Sequence, residues 1–192
     1  EPRAALRFQC GDYTDLKVSY SEMSQNSHLI SSTYIQLPTS FWMPSTPKIA
    51  PSRSRQVAGG VYVNFPHNIK FSVEGYYKTM SNLLEFRGKW GLYPPITMWE
   101  DALVVGKGRS WGAETSLTWS DDKTSVEAYY TLSWSQRFFP DFYSEWYKDR
   151  NDNRHKFTVT ATRRFGKRFE MYASWNYHSG GWMTGESHGI WD

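Results

Sequence analysis

The 192 residues are enough for one ordinary domain, and 22 Lys plus Arg against 19 Asp plus Glu leave a net charge of +3, too mild for a nucleic-acid surface. Aromatic residues make up 18%, with ten Trp and thirteen Tyr. That excess suits places that are wet at one end and apolar at the other: interfaces, sugar-binding surfaces and membrane-interface belts. Cys10 is the one cysteine, which excludes an intrachain disulfide.

In chain order the sequence predicts eight strands. They run from about Ala4 to Gln9, Leu16 to Met23, Arg55 to Phe65, Asn68 to Met80, Ser110 to Trp119, Thr124 to Arg137, His155 to Phe165 and Arg168 to Tyr177. Val, Thr, Tyr, Trp and Phe fill them, as strand preference requires, and no amphipathic helix is expected. The links "CGDYT", "PHN", "DDK" and "GK" are short and turn-like. The others, Ser24 to Ser54, Ser81 to Arg109 and Phe138 to Arg154, are long. Short and long alternate throughout. Several structureless loops of that length are unusual in a compact soluble domain, whereas outer-membrane barrels combine short periplasmic turns with long extracellular loops.

"KFSVEGYYKTM" (Lys70 to Met80) alternates with period two, the mark of a strand with unlike faces. Phe71, Val73 and Tyr77 share one face; Lys70, Ser72, Glu74 and Lys78 share the other. Val126, Ala128, Tyr130, Leu132 and Trp134 oppose Glu127, Tyr129, Thr131 and Ser133 in the same way, as do Phe157, Val159 and Ala161 against Thr158, Thr160 and Thr162. Runs of ten or more residues exceed the ordinary strand and match the roughly nine to eleven that a tilted spanning strand needs. Phe65, Trp111, Trp119, Trp134, Phe165 and Tyr177 near strand ends suit two interfacial girdles. No apolar run approaches the length of a transmembrane helix, but a barrel needs none. The pattern leaves two readings. One is a membrane barrel segment; the other is a soluble all-β binding module, with carbohydrate as a candidate ligand for its exposed aromatics.

Several stretches, taken in order, carry a family resemblance. "KIAPSRSRQVAGGVYV" (Lys48 to Val63) resembles the entry into a barrel strand through Pro51, Ser54 and Gly59, without the usual acid after that Pro. "VEGYYKTMSNLLEF" resembles the next strand climbing into an external loop. "GKGRSWGAE", with Gly112 and Glu114, resembles the return from it, and "DRNDNRHKF", with Asn153, Arg154 and His155, a later return. Together they resemble the C-terminal barrel of TonB-dependent outer-membrane receptors of the Bacteroidetes type, over nearly the whole chain. The resemblance implies an antiparallel up-and-down barrel of about 22 strands around an N-terminal plug. On that basis residues 1–192 form part of the barrel domain, without the plug. It further implies uptake of a siderophore, corrinoid, glycan or peptide. The implied partners are outer-membrane lipid, the receptor's remaining strands and plug, TonB acting through the plug, and the transported ligand. No enzymatic activity, cofactor or metal is expected.

Catalytic signatures are weak. "GESHG" (Gly185 to Gly189) matches a nucleophile elbow but lacks the helix that must follow. "GKGRSWG" (Gly106 to Gly112) has the wrong spacing for a dinucleotide fingerprint and is read as a flexible loop. The five His pair with no ligand at metal-binding spacing. Asp141, Glu145, Asp149 and Asp152 are read as solvated charge in one polar loop. Lys17, Lys70, Lys78, Arg164 and Arg168 are read as lumen charges balanced by Glu74, Glu127 and Glu170. The loop aromatics remain, and exposed rings cost solvation unless they pack or bind. Phe41, Trp42, Trp90, Tyr93, Trp99, Phe142, Trp146 and Tyr147 are the candidate ligand-binding residues, with Phe138, Phe139 and Tyr143 beside them. They either line an external ligand site or glue the long loops together.

Overall fold

A computed structural model describes residues 1–30, 41–86 and 96–181. The described chain forms β1 (Arg3–Gln9), β2 (Thr14–Gln25), β3 (Ser27–Ile30), β4 (Phe41–Pro44), β5 (Ser52–Phe65), β6 (Ile69–Phe86), a 3-10 turn (Ile96–Ala102), β7 (Leu103–Ser120), β8 (Thr124–Phe138), β9 (Tyr147–Lys148), β10 (His155–Phe165) and β11 (Phe169–His178). Eight of these strands make one antiparallel meander in the order β1-β2-β5-β6-β7-β8-β10-β11. The short β9 pairs with β8, and β3 with β4 makes a separate hairpin. Among the described residues the sheet is open, with β1 and β11 as its edges.

The four tight turns lie where the sequence predicts them, and their chemistry is local. His67 and Asn68 take φ of 63° and 59° between β5 and β6, and Gly166 takes 71° between β10 and β11. Asp121 Oδ1 accepts the backbone N–H of Lys123 at 2.7 Å and of Thr124 at 2.6 Å, closing the turn into β8.

The long connections differ from expectation. β6 runs on to Phe86 and β7 begins at Leu103, so the sheet rises well beyond Met80 and Ser110. A bulge makes this possible. The register shifts between Ser81 and Leu83, and Asn82 sits there at a φ of 56°. Its Nδ2 donates to the Pro51 carbonyl at 2.9 Å, which ties the bulge to the start of β5. "GKGRSWG" is therefore strand rather than flexible loop. Gly106 lies flat under the Phe139 ring, where a Cβ would meet ring carbons at 2.6 Å. The Ser24 to Ser54 link likewise holds the β3–β4 hairpin.

Register puts the apolar residues of all eight strands on one face. Leu6 pairs with Val18, Leu16 with Val61, Val61 with Val73, Phe71 with Leu117, Trp111 with Trp134, Ala128 with Val159 and Val159 with Trp175. This face stays open. Leu6 is 62% exposed, Val18 50% and Trp175 58%. The buried hydrophobic residues among those described are Ile49, Ala102, Val104 and Phe139. All four lie at the long-loop end. A sheet of this size with no core under its apolar face needs another apolar phase to cover it.

Candidate functional site

The second face of the sheet is polar, and its groups are held by cross-strand register. On β1 and β2, Arg7 stands opposite Lys17. The like charges separate because each has another partner. Arg7 Nη2 donates to Asp15 Oδ2 at 2.6 Å, while Lys17 Nζ sits 3.8 Å from the centroid of the Tyr62 ring. Tyr62 and Glu74 share one groove with Lys17. Gly60 lies between Lys17 and Glu74 in the register. Any Cβ there would come within 2.7 Å of Glu74 Cγ, so glycine is what lets the strands and these side chains close up. Arg7, Lys17, Gly60, Tyr62 and Glu74 line a groove of about 190 Å³. Further along, Tyr129 donates to Glu127 at 2.9 Å and Arg164 to Glu170 at 2.8 Å. Thus Arg164 pairs with one of the three acids set against the lumen cations, whereas Lys17 rests on an aromatic ring instead.

The long-loop end carries the other cluster. Asp149 and Asp152 are buried there, not solvated as their sequence context suggests. Asp149 Oδ2 accepts from Arg137 Nε at 2.9 Å. Asp152 accepts from the Ser135 backbone N–H at 3.0 Å and from Arg154 at 3.1 Å. Charge-assisted bonds of this kind pin the loop after β8 back onto that strand.

The candidate aromatics divide between places. Trp42 stands opposite Leu29 in the small hairpin and is 61% exposed. Phe41 pairs with Ile30 in the same hairpin. Trp99 packs on Ala102 with Met43 and Leu103. Phe142 lies 6.0 Å from Phe139, centroid to centroid. Tyr147 lies 5.0 Å from Tyr143, and its hydroxyl donates to Glu85 Oε2 at 3.2 Å. Burial, then the Glu85 carboxylate, pushes the Tyr147 phenol above its ordinary pKa. Trp146 is adjacent in sequence but lies on the opposite side, 5.5 Å from Phe138 and under Arg109 at 4.3 Å. Trp90 and Tyr93 fall outside the described residues, as does the "GESHG" stretch.

On the apolar face, ring-bearing rows bound the sheet. Tyr77, Trp111 and Trp134 stack at centroid distances of 6.5 and 6.0 Å toward the long loops. Phe65, Trp119, Phe165 and Phe169 mark the turn end. From Trp111 to Trp119 is eight residues of β7, about 27 Å along a strand. Tilted by roughly 35–45°, that stretch rises roughly 19–22 Å, most of the roughly 25 Å apolar band of an outer-membrane barrel. A family model described as "TonB dependent receptor-like, beta-barrel" matches residues 1–189. The chain belongs to the TonB-dependent receptor barrel family. It is a bacterial outer-membrane protein, and the family consists of receptors and transporters rather than enzymes. The apolar face is the lipid face, the polar face lines the lumen, and the short turns are periplasmic. No curated protein and no solved structure matches the chain.

Sequence reasoning missed the Lys17–Tyr62–Glu74 groove. Its signal was present: "GGVYV" puts Gly60 and Tyr62 on the polar parity of β5, and only the register supplies Lys17 and Glu74 as neighbours.

Proposed function

We propose that this barrel wall serves uptake of a small ligand, a siderophore, corrinoid, glycan or peptide, with the plug of the receptor gating the lumen under the pull of TonB. The observation behind this reading is the lumen groove of Arg7, Lys17, Tyr62 and Glu74. It presents two cations and a carboxylate to a passing solute, with Arg7 held by Asp15 and Lys17 by the Tyr62 ring. The loop aromatics supply the outer contact: Phe41, Trp42, Trp90, Tyr93, Trp99, Phe142, Trp146 and Tyr147, with Tyr147 on the lumen side of β9 and Trp146 on its outer side beside Arg109. Rings suit sugar faces and corrin or catechol planes alike.

The test is uptake by cells carrying the whole receptor, supplied in turn with a siderophore, a corrinoid, an oligosaccharide and a peptide as the limiting nutrient. One of these should support growth. Tyr62→Ala with Lys17→Ala, or Trp42→Ala with Tyr147→Ala, should lower that growth at unchanged surface abundance. Growth on all four that is indifferent to deleting the receptor would overturn the reading.

A further inference from the structure

Just beyond the girdle, the outer face of the sheet changes character abruptly. Two cross-strand rows stand above Val57, Tyr77 and Trp111. In the lower, Arg55 pairs with Thr79 and Thr79 with Arg109; in the upper, Arg53 pairs with Ser81 and Ser81 with Lys107. In each row a basic residue stands on β5 and another on β7, with a hydroxyl on β6 between them. The two cations of a row are two strands apart, about 10 Å. All of these positions share the parity of Val57, Tyr77 and Trp111, so they point outward and not into the lumen.

Charge on this patch is unbalanced. The Arg55 Nε lies 3.0 Å from Glu22 Oε1, and Arg109 lies over Trp111 and Trp146 and donates to Gln136 at 2.8 Å. Arg53 and Lys107 are exposed and have no side-chain partner among the described residues. Arg53, Arg55, Thr79, Ser81, Asn82 and Lys107 line a groove of about 440 Å³. Two carboxylates stand at the β2 side of these rows, Glu22 on Arg55 and Glu1 held by Ser24 opposite Arg53; four basic side chains still outnumber them, and at headgroup depth beside a hydroxyl pair they suit a doubly charged oxyanion.

We infer that this groove binds the phosphate of a lipid headgroup in the outer leaflet, with Arg53 and Lys107 as its free cations and Ser81 as the hydroxyl donor between them. The aromatic row beneath would lie against the acyl chains. The lipid is thereby a fixed neighbour of β5 to β7, independent of what the lumen transports.

The test uses the whole receptor in detergent micelles doped with phosphorylated lipid A, compared with the same glycolipid stripped of phosphate. The phosphorylated lipid should stay bound through detergent exchange, by mass spectrometry, and the stripped one should not. Arg53→Gln with Lys107→Gln should weaken retention by roughly tenfold or more, the scale for two basic groups at an anionic surface. Lys123→Gln with Lys167→Gln, equal in charge but in the periplasmic turns, should leave it unchanged. Equal retention of both lipids would overturn the inference, and that comparison holds even if the groove variant fails to insert. Loss of the lipid to millimolar inorganic phosphate would overturn it too, by showing a free-anion site. Ligand uptake is not measured in any arm, so failure here leaves the transport reading standing.

Discussion

Val73 lies midway along β6 between the rows of Tyr77 and Ile69, paired with Val61 on one side and Thr115 on the other. Ser72, one residue earlier, points the other way and hydrogen-bonds to Ser116 at 2.7 Å. Lipid offers an Arg at Val73 no water and no counter-charge, so Val73→Arg should cost about 2–4 kcal/mol of folding free energy. Ser72→Arg should cost much less, since the lumen face already holds ionised groups. Denaturant titration of the whole receptor in lipid vesicles separates the two. Equal costs would mean that the faces are exchanged, which is what a one-residue register slip does. Phe139 poses a different residue-scale problem. It is wholly buried over Gly106 in a chain with little other core. Phe139→Ala should loosen the loop end by about 3–5 kcal/mol, seen as faster amide exchange in β9 and the upper part of β7, with the periplasmic half of the sheet unaffected.

The β3–β4 hairpin is the element most open to a pH test. His28 is buried, with its ring nitrogens 3.0 Å from Ser45 Oγ and 3.3 Å from Ser52 Oγ. Burial holds its pKa below the ordinary value. Between that lowered value and about 6.5, where an unfolded His titrates, the open hairpin binds more protons than the closed one. Its stability is therefore intact above about 6.5 and lost as pH falls through the folded value. Protease cleavage within residues 27–44 should rise from pH 8 to pH 5, and His28→Gln should flatten that rise; cleavage independent of pH would sink the argument. At the same scale, antibody tags between Ser24 and Ser54 should be reached on intact cells. Tags in the turns at Pro66 or Asp122 should be reached only after the outer membrane is opened. These element-scale features were unequally legible. Period-two alternation and turn residues located all eight main strands, because each faces two unlike phases and needs only local information. The extension of β6 and β7 was not legible, because Gly106 and Gly108 read as loop until Phe139, Leu83 and Met80 are seen packed on them. The burial of Asp149 and Asp152 was hidden for a similar reason. An acidic loop looks solvated until the partners on β8 are known. The candidate site divides likewise: its aromatics stand out in the sequence, while the lumen groove depends on four strands in register.

At the scale of the whole molecule the deciding feature is the pair of free edges. Among the described residues β1 pairs with β2 alone and β11 with β10 alone; both are exposed along their full length. In a bilayer an unpaired N–H or C=O has no water to turn to, at several kcal/mol each. Eight strands could close on themselves, but so small a barrel has an interior that its own side chains fill. The lumen face here carries Arg7, Lys17, Lys70, Glu74, Glu114, Glu127, Arg164 and Glu170, along with the bulky rings of Tyr62, Tyr129 and Tyr172. Packing that many charges and rings into a closed eight-stranded interior would desolvate them without enough partners: Lys17 already has a ring in place of an acid. A wide, water-filled lumen holds the same groups hydrated. The sheet is therefore expected to be an arc of a larger barrel, with β1 and β11 pairing to further strands of the receptor. Residues 1–192 expressed alone should then fail to fold in detergent or vesicles, while the same residues within the whole receptor should be protease-resistant and heat-modifiable. A heat-modifiable barrel formed by the isolated segment would show that the edges pair with each other and would overturn this account of the arc.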